Sequence, residues 1–358
     1  MSPEPERSEG AQKARPERTL LVTGGAGFIG ARFVTNHLAR YANDRVIVVD
    51  ALTYAGNLGN LPEDAARAGR LEFVHGSVRS PALMDALTAR ADAVVHFAAE
   101  THVPRSIVDS LVFLETDVLG TQMVLAQALR HRSRVERVVH ISSSEVYGSA
   151  VRAPMDEEHP LDPRTPYAAA KCGADRLVSS FAHTYGLPVV ILRPFNNYGP
   201  GQHLEKLVPR LVTSALLDEP LTVHGDGAAA RDWVFVDDTC DAIERVLERP
   251  AADVVGQVFN VGTGIATDVL GMARKVLALA GRDESSIVHT DERPGQVQLH
   301  VAATKKATET LGFEAKVGLD EGLARTLVWY RDHRARWEPQ RWMRSVPVVD
   351  GDGRFTYW

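Results

Sequence analysis

Short apolar runs rich in β-branched residues recur through the first 194 residues of the chain. They are TLLVTG (19–24), RVIVVD (45–50), LEFVHG (71–76), ADAVVHFAA (91–99), VERVVHISSS (135–144) and LPVVILRP (187–194). Runs of this length and composition predict buried strands of a parallel sheet.

Between these runs, apolar residues recur at the spacing of a helix. The segments concerned are 28–40, 81–89, 107–130 and 166–185. Because strands and helices alternate along the chain, the sequence predicts an α/β fold with a doubly wound parallel sheet of the Rossmann type.

The rhythm changes after residue 194, where a turn-rich segment predicts the start of a second, smaller α/β lobe. Its predicted helices are 203–217, 267–280 and 319–334. Two further apolar runs, RDWVFVDD (231–238) and GQVFNVG (256–262), are expected to return to the main sheet.

Composition narrows the functional classes. Hydrophobic residues make up 44% of the 358 residues and charged residues 24%, as in ordinary globular proteins, and no run reaches the roughly 18 apolar residues of a spanning helix. The charged N-terminus lacks the apolar core of a signal peptide. A net charge of -6 argues against a surface that binds nucleic acid. The chain has two cysteines, Cys172 and Cys240, too few for a disulfide framework, so we expect the protein in the reducing cytoplasm. No histidine pair has the spacing of a metal site.

The segment VTGGAGFIG places glycines where the first strand turns into a helix. Gly24, Gly27 and Gly30, with Phe28 and Ile29 between them, suit a tight turn that approaches a pyrophosphate closely. Asp50 ends the second strand, where a carboxylate would accept hydrogen bonds from an adenosine ribose. The absence of an arginine after it favours NAD over NADP as the cofactor.

Tyr167 and Lys171 are four residues apart on a predicted helix and therefore share one face. The lysine charge is expected to lower the pKa of the tyrosine, which makes Tyr167 a base for a substrate hydroxyl. Ser143, Ser144 and Glu145 follow a predicted strand at the carboxyl edge of the sheet, where open α/β sheets bind ligands. Ser143 could bond the same hydroxyl, and Glu145 could reach a neighbouring carbon.

These motifs resemble the extended short-chain dehydrogenase/reductase family, specifically its NAD-dependent nucleotide-sugar epimerases and dehydratases. The likeness runs from about Thr19 to Trp329 and is closest to the dTDP-glucose 4,6-dehydratases. It rests on VTGGAGFIG, DALTYAGNL, HFAAETHVPRSI, SSEVYG, YAAAK, NNYGPGQHLEKLVP, HGDGAAARDWVFVDD and RPGQ.

The resemblance implies further site residues. For NAD it implies the glycine turn, Asp50, Tyr167 and Lys171 named above. It adds a second group for the same cofactor: Thr53, Ser77, Val78, Phe97, Ala98, Ala99 and Thr116. Those implied for a nucleoside-diphosphate sugar are His102, Asn196, Lys206, Leu207, Arg231, Asn260 and Arg293. The family usually has aspartate at the Ser77 position. The resemblance also implies a homodimer through the helices 107–130 and 166–185.

The predicted organisation has four parts. We expect a disordered tail over 1–17 and an NAD-binding domain over 18–193, to which segments at about 233–263 return. We expect a substrate lobe made of 194–232 and 264–345, followed by a C-terminal tail over 346–358.

Ser144 leaves the reaction open. In the dTDP-glucose dehydratases the corresponding pair is Asp-Glu, in which the aspartate protonates the departing C6 hydroxyl and the glutamate removes the C5 proton. Serine is too weak an acid for that role. The sequence therefore predicts a 4,6-dehydratase that uses Glu145, with a 4-epimerase or UDP-glucuronate decarboxylase as alternatives that share the C4 oxidation. A catalytically inactive NAD-binding regulator and an alcohol dehydrogenase that releases NADH are alternatives of other classes.

Overall fold

The computed structural model describes residues 17–292 and 295–345 in full, and the backbone of 347–349 and 355–357. The strands are β1 (Thr19–Thr23), β2 (Arg45–Asp50), β3 (Leu71–His75), β4 (Ala93–His96), β5 (Arg137–Ile141), β6 (Val189–Pro194), β7 (Asn196–Tyr198), β8 (Leu221–His224), β9 (Ala230–Phe235), β10 (Val258–Val261), β11 (Ala266–Asp268), β12 (Ile287–Thr290), β13 (Leu299–His300), β14 (Pro347–Val349) and β15 (Phe355–Tyr357). Of the predicted N-terminal tail, 1–16 lie outside the described residues.

The helices follow the strands in the expected alternation. They are α1 (Phe28–Arg40), α2 (Glu63–Arg67), α3 (Pro81–Thr88), α4 (Val103–Val108), α5 (Leu111–Phe113), α6 (Gly120–Arg130), α7 (Pro166–Tyr185), α8 (Leu207–Leu216), α9 (Val236–Glu248), α10 (Ala251–Val254), α11 (Val269–Ala280), α12 (Lys305–Leu311), α13 (Leu319–Asp332) and α14 (Arg334–Trp337). The predicted helix 107–130 is interrupted at 109–110 and has a π-helical segment, Leu114–Leu119, between α5 and α6.

A seven-stranded parallel sheet in the order β10-β6-β5-β4-β1-β2-β3 forms the centre of the larger lobe. Every residue of β5 and β6 is buried, because helices cover both faces of the sheet. This confirms the predicted fold class. The strand order reverses between β1 and β4, so a crevice opens at their carboxyl ends, and Gly24 and Phe97 follow those ends directly.

The smaller lobe has its own sheet, in which β9 lies between β11 and β13 and also pairs with β7. The expectation that 231–238 returns to the main sheet is therefore wrong, whereas β10 does return and pairs with β6. An apolar run fits a strand in either sheet, and its partner depends on the chain connections around it. Strands β8 and β12 form a separate parallel pair.

The predicted C-terminal tail contains secondary structure. Its strands β14 and β15 pair antiparallel, with Val348 opposite Thr356. No helix in the part of the chain that the structure describes is long and apolar enough to cross a membrane.

Candidate active site

A cleft of about 880 Å³ lies at the carboxyl edge of the main sheet and is closed on its far side by the smaller lobe. It is lined by the glycine-rich turn after β1, the ends of β2, β4 and β5, the first turns of α7, and residues of both lobes. One cavity therefore contains both groups of residues predicted for the cofactor and for the chemistry.

The glycine-rich turn has no space for side chains. Gly24 has φ +69°, and a Cβ there would lie 2.6 Å from the backbone nitrogen of Ala98. A Cβ on Gly30 would lie 2.5 Å from the carbonyl oxygen of Gly24, and one on Gly27 would lie 3.3 Å from the same oxygen. The turn therefore leaves a bare backbone surface at the start of α1, which fits the pyrophosphate of a dinucleotide.

Asp50 is held beside this turn by two backbone donors. Its Oδ2 accepts a hydrogen bond from the Ala26 nitrogen at 2.9 Å, and its Oδ1 accepts one from the Leu52 nitrogen at 2.8 Å. Asp50 also lines the cleft. The same cavity is lined by the other residues predicted for the cofactor: Phe28, Ile29, Thr53, Ser77, Val78, Phe97, Ala98, Ala99 and Thr116.

Tyr167 and Lys171 lie in the first turns of α7, where Thr165 caps the helix by accepting a hydrogen bond from the Ala168 nitrogen at 3.2 Å. Burial raises the pKa of Tyr167, and a hydrogen bond with Ser143 opposes that effect. The Lys171 ammonium donates to the Ile141 carbonyl at 2.7 Å. The loss of hydration of the phenolate dominates the shift, in which Lys171 is not among the main causes, so the effect expected of Lys171 on Tyr167 stays a prediction.

Lys171 itself is buried, and this burial lowers its pKa, while Asp117 and Asp175 raise it. Asp117 is 1% exposed and lies on the π-helical segment, where burial raises its pKa. The two buried carboxylates therefore oppose the lowering of the Lys171 pKa by burial, which remains the larger effect.

Asp175 supports the strand end next to the site. It accepts hydrogen bonds from Arg193 Nε and Nη2, both at 2.9 Å, and from Ser142 Oγ at 2.7 Å. Arg193 and Asp175 are almost completely buried. This bidentate pair fixes α7 against β6 and holds the residue that precedes Ser143.

The three catalytic candidates after β5 form a compact group. Ser143 Oγ accepts a hydrogen bond from the Glu145 nitrogen at 3.2 Å and caps the 3-10 helix Ser144–Tyr147. Ser144 is buried and Glu145 is half-buried, and both line the cleft with Tyr167. Of this serine–glutamate pair, only Glu145 carries a carboxylate.

On the substrate side the cleft is lined by His102, Asn196, Lys206, Leu207 and Arg231. Lys206 Nζ donates to the Thr101 carbonyl at 2.7 Å, and Arg231 Nη1 donates to the Ala230 carbonyl at 3.0 Å. The buried Asn196 Oδ1 has no hydrogen-bond partner among the described residues. Arg293 lies outside the described residues.

Asn260 is not part of the cleft, so its predicted role in substrate binding is wrong. It is 0% exposed, its Oδ1 accepts from the Tyr147 hydroxyl at 2.7 Å, and its Nδ2 donates to the Met155 carbonyl at 2.9 Å. The strand register directs this side chain into the protein interior.

Sequence reasoning missed a second polar group in the cleft. Tyr54 donates to Glu205 Oε1 at 2.8 Å, Arg105 Nε donates to Glu205 Oε2 at 3.2 Å, and the Arg105 guanidinium lies 3.8 Å from the centre of the Tyr54 ring. Burial raises the pKa of Tyr54. All three residues fall within motifs already quoted for the resemblance, so they could have been found there. In the described ranges, no three His, Cys, Asp or Glu residues are grouped as metal ligands would be.

Comparison with known proteins gives consistent likenesses. Residues 21–326 match the model of the family described as GDP-mannose 4,6 dehydratase. A dTDP-glucose 4,6-dehydratase of Streptomyces niveus is 42% identical over 93% of this chain and 98% of its own length. The crystal structure of DesIV, the dTDP-glucose 4,6-dehydratase of Streptomyces venezuelae with NAD bound, has a TM-score of 0.85 at 44% identity, covering 90% of this chain and 99% of that one. A UDP-glucose 4-epimerase of Thermotoga maritima has a TM-score of 0.81 at 31% identity, covering 88% and 99%.

Proposed function

We propose that this chain, which belongs to the GDP-mannose 4,6-dehydratase family, is an NAD-dependent nucleotide-sugar 4,6-dehydratase. Family membership confirms the resemblance drawn from the motifs. The observation that carries the proposal is that Tyr167, Lys171 and Glu145 line the same cleft as the glycine-rich turn. A dTDP-glucose 4,6-dehydratase is among its relatives, so dTDP-glucose is the first candidate substrate.

The cofactor proposed is NAD, which the neighbouring DesIV structure contains. The turn of Gly24, Gly27 and Gly30 would hold its pyrophosphate and Asp50 its adenosine ribose, because the first is bare backbone and the second a carboxylate that lines the cleft. When bound, NAD would accept the C4 hydride, return it to C6, and favour the tyrosinate through its positive ring.

The first proposed task of the chain is to remove the C4 hydroxyl proton. Tyr167 accepts this proton, Ser143 holds the same oxygen by a hydrogen bond, and Lys171 supplies the positive charge that stabilises the tyrosinate. The resulting 4-keto group makes the C5 proton acidic.

The second task is the elimination. Glu145 takes the C5 proton, the C6–oxygen bond breaks, and the departing hydroxide leaves as water with the proton that Glu145 has just gained, so that a C5=C6 double bond remains beside the 4-keto group. One carboxyl group thereby serves as base and then as acid, because the Ser144 hydroxyl cannot protonate a leaving group. When the hydride returns to C6, C5 takes a proton that originates from solvent, and Tyr167 gives up the proton that it took from the C4 hydroxyl. Arg231 is proposed to bind the diphosphate of the substrate, since a guanidinium matches phosphate oxygens bidentately.

A 4-epimerase is the second candidate, and Ser144 is the observation that favours it. Epimerisation needs only the C4 oxidation, a turn of the keto sugar and return of the hydride to its other face, so it uses neither Glu145 nor an acid at position 144. The Thermotoga maritima epimerase shares this architecture.

Product analysis in deuterated water tests the proposal. The purified protein is incubated with NAD and, separately, with dTDP-glucose, UDP-glucose, UDP-N-acetylglucosamine, GDP-mannose, CDP-glucose and UDP-glucuronate. Loss of water with one deuterium at C5 supports dehydration, an inverted C4 without mass loss supports epimerisation, and loss of carbon dioxide identifies a decarboxylase. Failure to turn over any of these sugars would contradict the proposal.

Matched variants separate the two tasks. Tyr167→Phe should abolish every product, because C4 oxidation is lost. Glu145→Gln should stop elimination while NADH accumulates at 340 nm. Ser144→Asp should accelerate dehydration if leaving-group protonation limits the rate. Unchanged dehydration by Glu145→Gln would remove Glu145 from the mechanism.

We also propose a homodimer through the helical segment 107–130 and α7. Exposed leucines on the first of these support it: Leu111 is 62% exposed, Leu114 47% and Leu119 58%. Light scattering at micromolar concentration should give twice the chain mass of 39.1 kDa, and a monomer would contradict the dimer.

A cytoplasmic location is proposed because the two cysteines, Cys172 and Cys240, are not joined in a disulfide. Cell fractionation with an antibody to the native protein tests this, and recovery from an extracytoplasmic fraction would contradict it.

A further inference from the structure

The chain passes the cleft once more near its end. Residues 333–344, here called the strap, contain α14 and the 3-10 helix Glu338–Arg344. Tyr330, just before the strap, donates to the carbonyl of Gln202, and Arg344 at its end donates to Glu219 Oε2 at 2.6 Å. Trp337 is 3% exposed, and its indole nitrogen donates to the Tyr330 carbonyl at 2.6 Å. The strap is therefore anchored in the smaller lobe at both ends.

From this anchored segment, Arg336 reaches the larger lobe. Its Nη2 donates to Asn60 Oδ1, and its guanidinium lies 5.8 Å from the centre of the Trp329 ring. Both Arg336 and Asn60 line the cleft. This contact joins residues that are 276 positions apart in the sequence.

Asn60 in turn holds the glycine-rich turn. Its Nδ2 donates to the Ala26 carbonyl at 2.9 Å, and the same carbonyl accepts from the Asn57 nitrogen at 3.1 Å. Ala26 lies between Gly24 and Gly27, and its own nitrogen donates to Asp50. Two consecutive hydrogen bonds therefore connect the strap to the peptide that adjoins the proposed pyrophosphate and ribose sites.

The Asn60 amide uses both of its polar atoms in this connection. The amide must keep one orientation to accept from Arg336 and donate to Ala26 at the same time. A hydrogen bond from a charged donor is also stronger than a neutral one. Loss of Arg336 would leave Asn60 free to rotate and would loosen the loop 51–60, whose residues line the cleft.

We propose that Arg336 is a positioning residue which, through Asn60, clamps the glycine-rich turn and slows the release of NAD. The inference rests on the proposed function, because that turn is the proposed cofactor site. It also has a chemical purpose there: a reaction that takes a hydride and returns it needs the same cofactor to stay bound throughout each turnover.

A competing explanation is that the Arg336 charge attracts the cofactor phosphates directly. A double-mutant cycle separates the two, because a contact that acts through Asn60 has no effect once Asn60 is removed. The variants are Arg336→Ala, Asn60→Ala and the double variant. Arg334→Ala is the matched control, since Arg334 belongs to the same strap and carries the same charge but pairs with Glu338 at 2.7 Å.

The measurement is the rate of NADH release from the full-length protein, followed by fluorescence after a chase with excess NAD. Each single variant should release NADH about tenfold faster, equivalent to ~1.4 kcal/mol. The double variant should be no faster than the singles, and Arg334→Ala should match the parent. The NAD concentration required for half-maximal turnover should rise in the variants of Arg336 and Asn60 and stay at the parent value in Arg334→Ala.

Asn60→Asp provides a second variant that keeps an acceptor for Arg336 and loses the donor to Ala26, so it should behave like Asn60→Ala. Two results would overturn this inference and leave the proposed function intact. The first is that Arg336→Ala releases NADH at the parent rate. The second is that Arg336→Ala accelerates NADH release equally whether or not Asn60 is present. A parent protein that binds neither NAD nor NADH would instead overturn the proposed function, and this inference with it.

Discussion

Asp175→Asn is expected to destabilise the protein strongly, because it removes one partner of a buried ion pair. Asp175 and Arg193 share two hydrogen bonds of 2.9 Å, and their side chains are 0% and 2% exposed. Asparagine has nearly the same shape, so the change leaves little cavity and mainly leaves the Arg193 charge buried without compensation. Breaking a buried pair in this way costs about 3–5 kcal/mol.

This free energy translates into a measurable change in melting temperature. At about 2–4 °C per kcal/mol for domains of 150–250 residues, the expected fall in Tm is roughly 6–20 °C, nearer the lower figure for a longer chain. Circular dichroism melts of the parent and Asp175→Asn at pH 7 measure it. Asp320→Asn is the control, because Asp320 pairs with Lys275 at 2.6 Å on the surface, where a pair contributes about 0–1 kcal/mol.

The pH dependence of the difference has a definite sign. Hydrogen bonds and the Arg193 charge lower the pKa of Asp175 in spite of its burial. The stabilisation by ionised Asp175 is therefore present above the ordinary aspartate pKa and is lost as the pH falls through the lowered value. The parent and Asp175→Asn should differ at pH 7 and converge in acid. A fall in Tm at pH 7 no larger than that of Asp320→Asn would refute the reasoning.

Two further predictions concern the cofactor turn and α1. Gly24→Ala should abolish retention of NAD, measured by chromatography of the denatured protein, because its Cβ would lie 2.6 Å from the Ala98 nitrogen at φ +69°; normal NAD content would contradict this. Burial lowers the pKa of His37, but hydrogen bonds with Asp44 and Glu244 raise it overall. The stabilisation by protonated His37 is therefore lost as the pH rises through the raised pKa. His37→Gln should accordingly destabilise the protein more at pH 6 than at pH 9. A difference in Tm that grows with pH would contradict the second.

The fold and half of the site could be predicted because they depend on local patterns. The glycine turn, Asp50 and the Tyr167–Lys171 pair are fixed by a strand end, a helix start and a four-residue spacing. The substrate role that the resemblance implied for Asn260 is wrong, because a matching position in the sequence does not tell which way the strand directs its side chain. The assignment of β9 to the wrong sheet has a similar cause, since its apolar pattern fits either sheet.

The contacts that cross between lobes carry no local signal at all. Arg336 occurs in a segment without helical or strand periodicity, and its partner Asn60 is a loop residue like many others. Sequence separation hides such a pair, although the two side chains meet at the glycine turn. Asp175 and Arg193 lie within the larger lobe, and they also carry no local signal, because a helix and a strand bring them together only when the sheet has formed.

Ser144 shows how far the geometry alone constrains the reaction. The cleft holds one set of groups proposed for oxidation at C4, which every candidate reaction needs, and beside Tyr167 and Ser144 it holds the carboxylate of Glu145, which elimination needs and epimerisation does not. Epimerisation has no step that uses a carboxylate at this place on the cleft wall. The presence of Glu145 on that wall with Tyr167 therefore favours dehydration. Because a serine stands beside it, we expect Glu145 both to take the C5 proton and to protonate the leaving group.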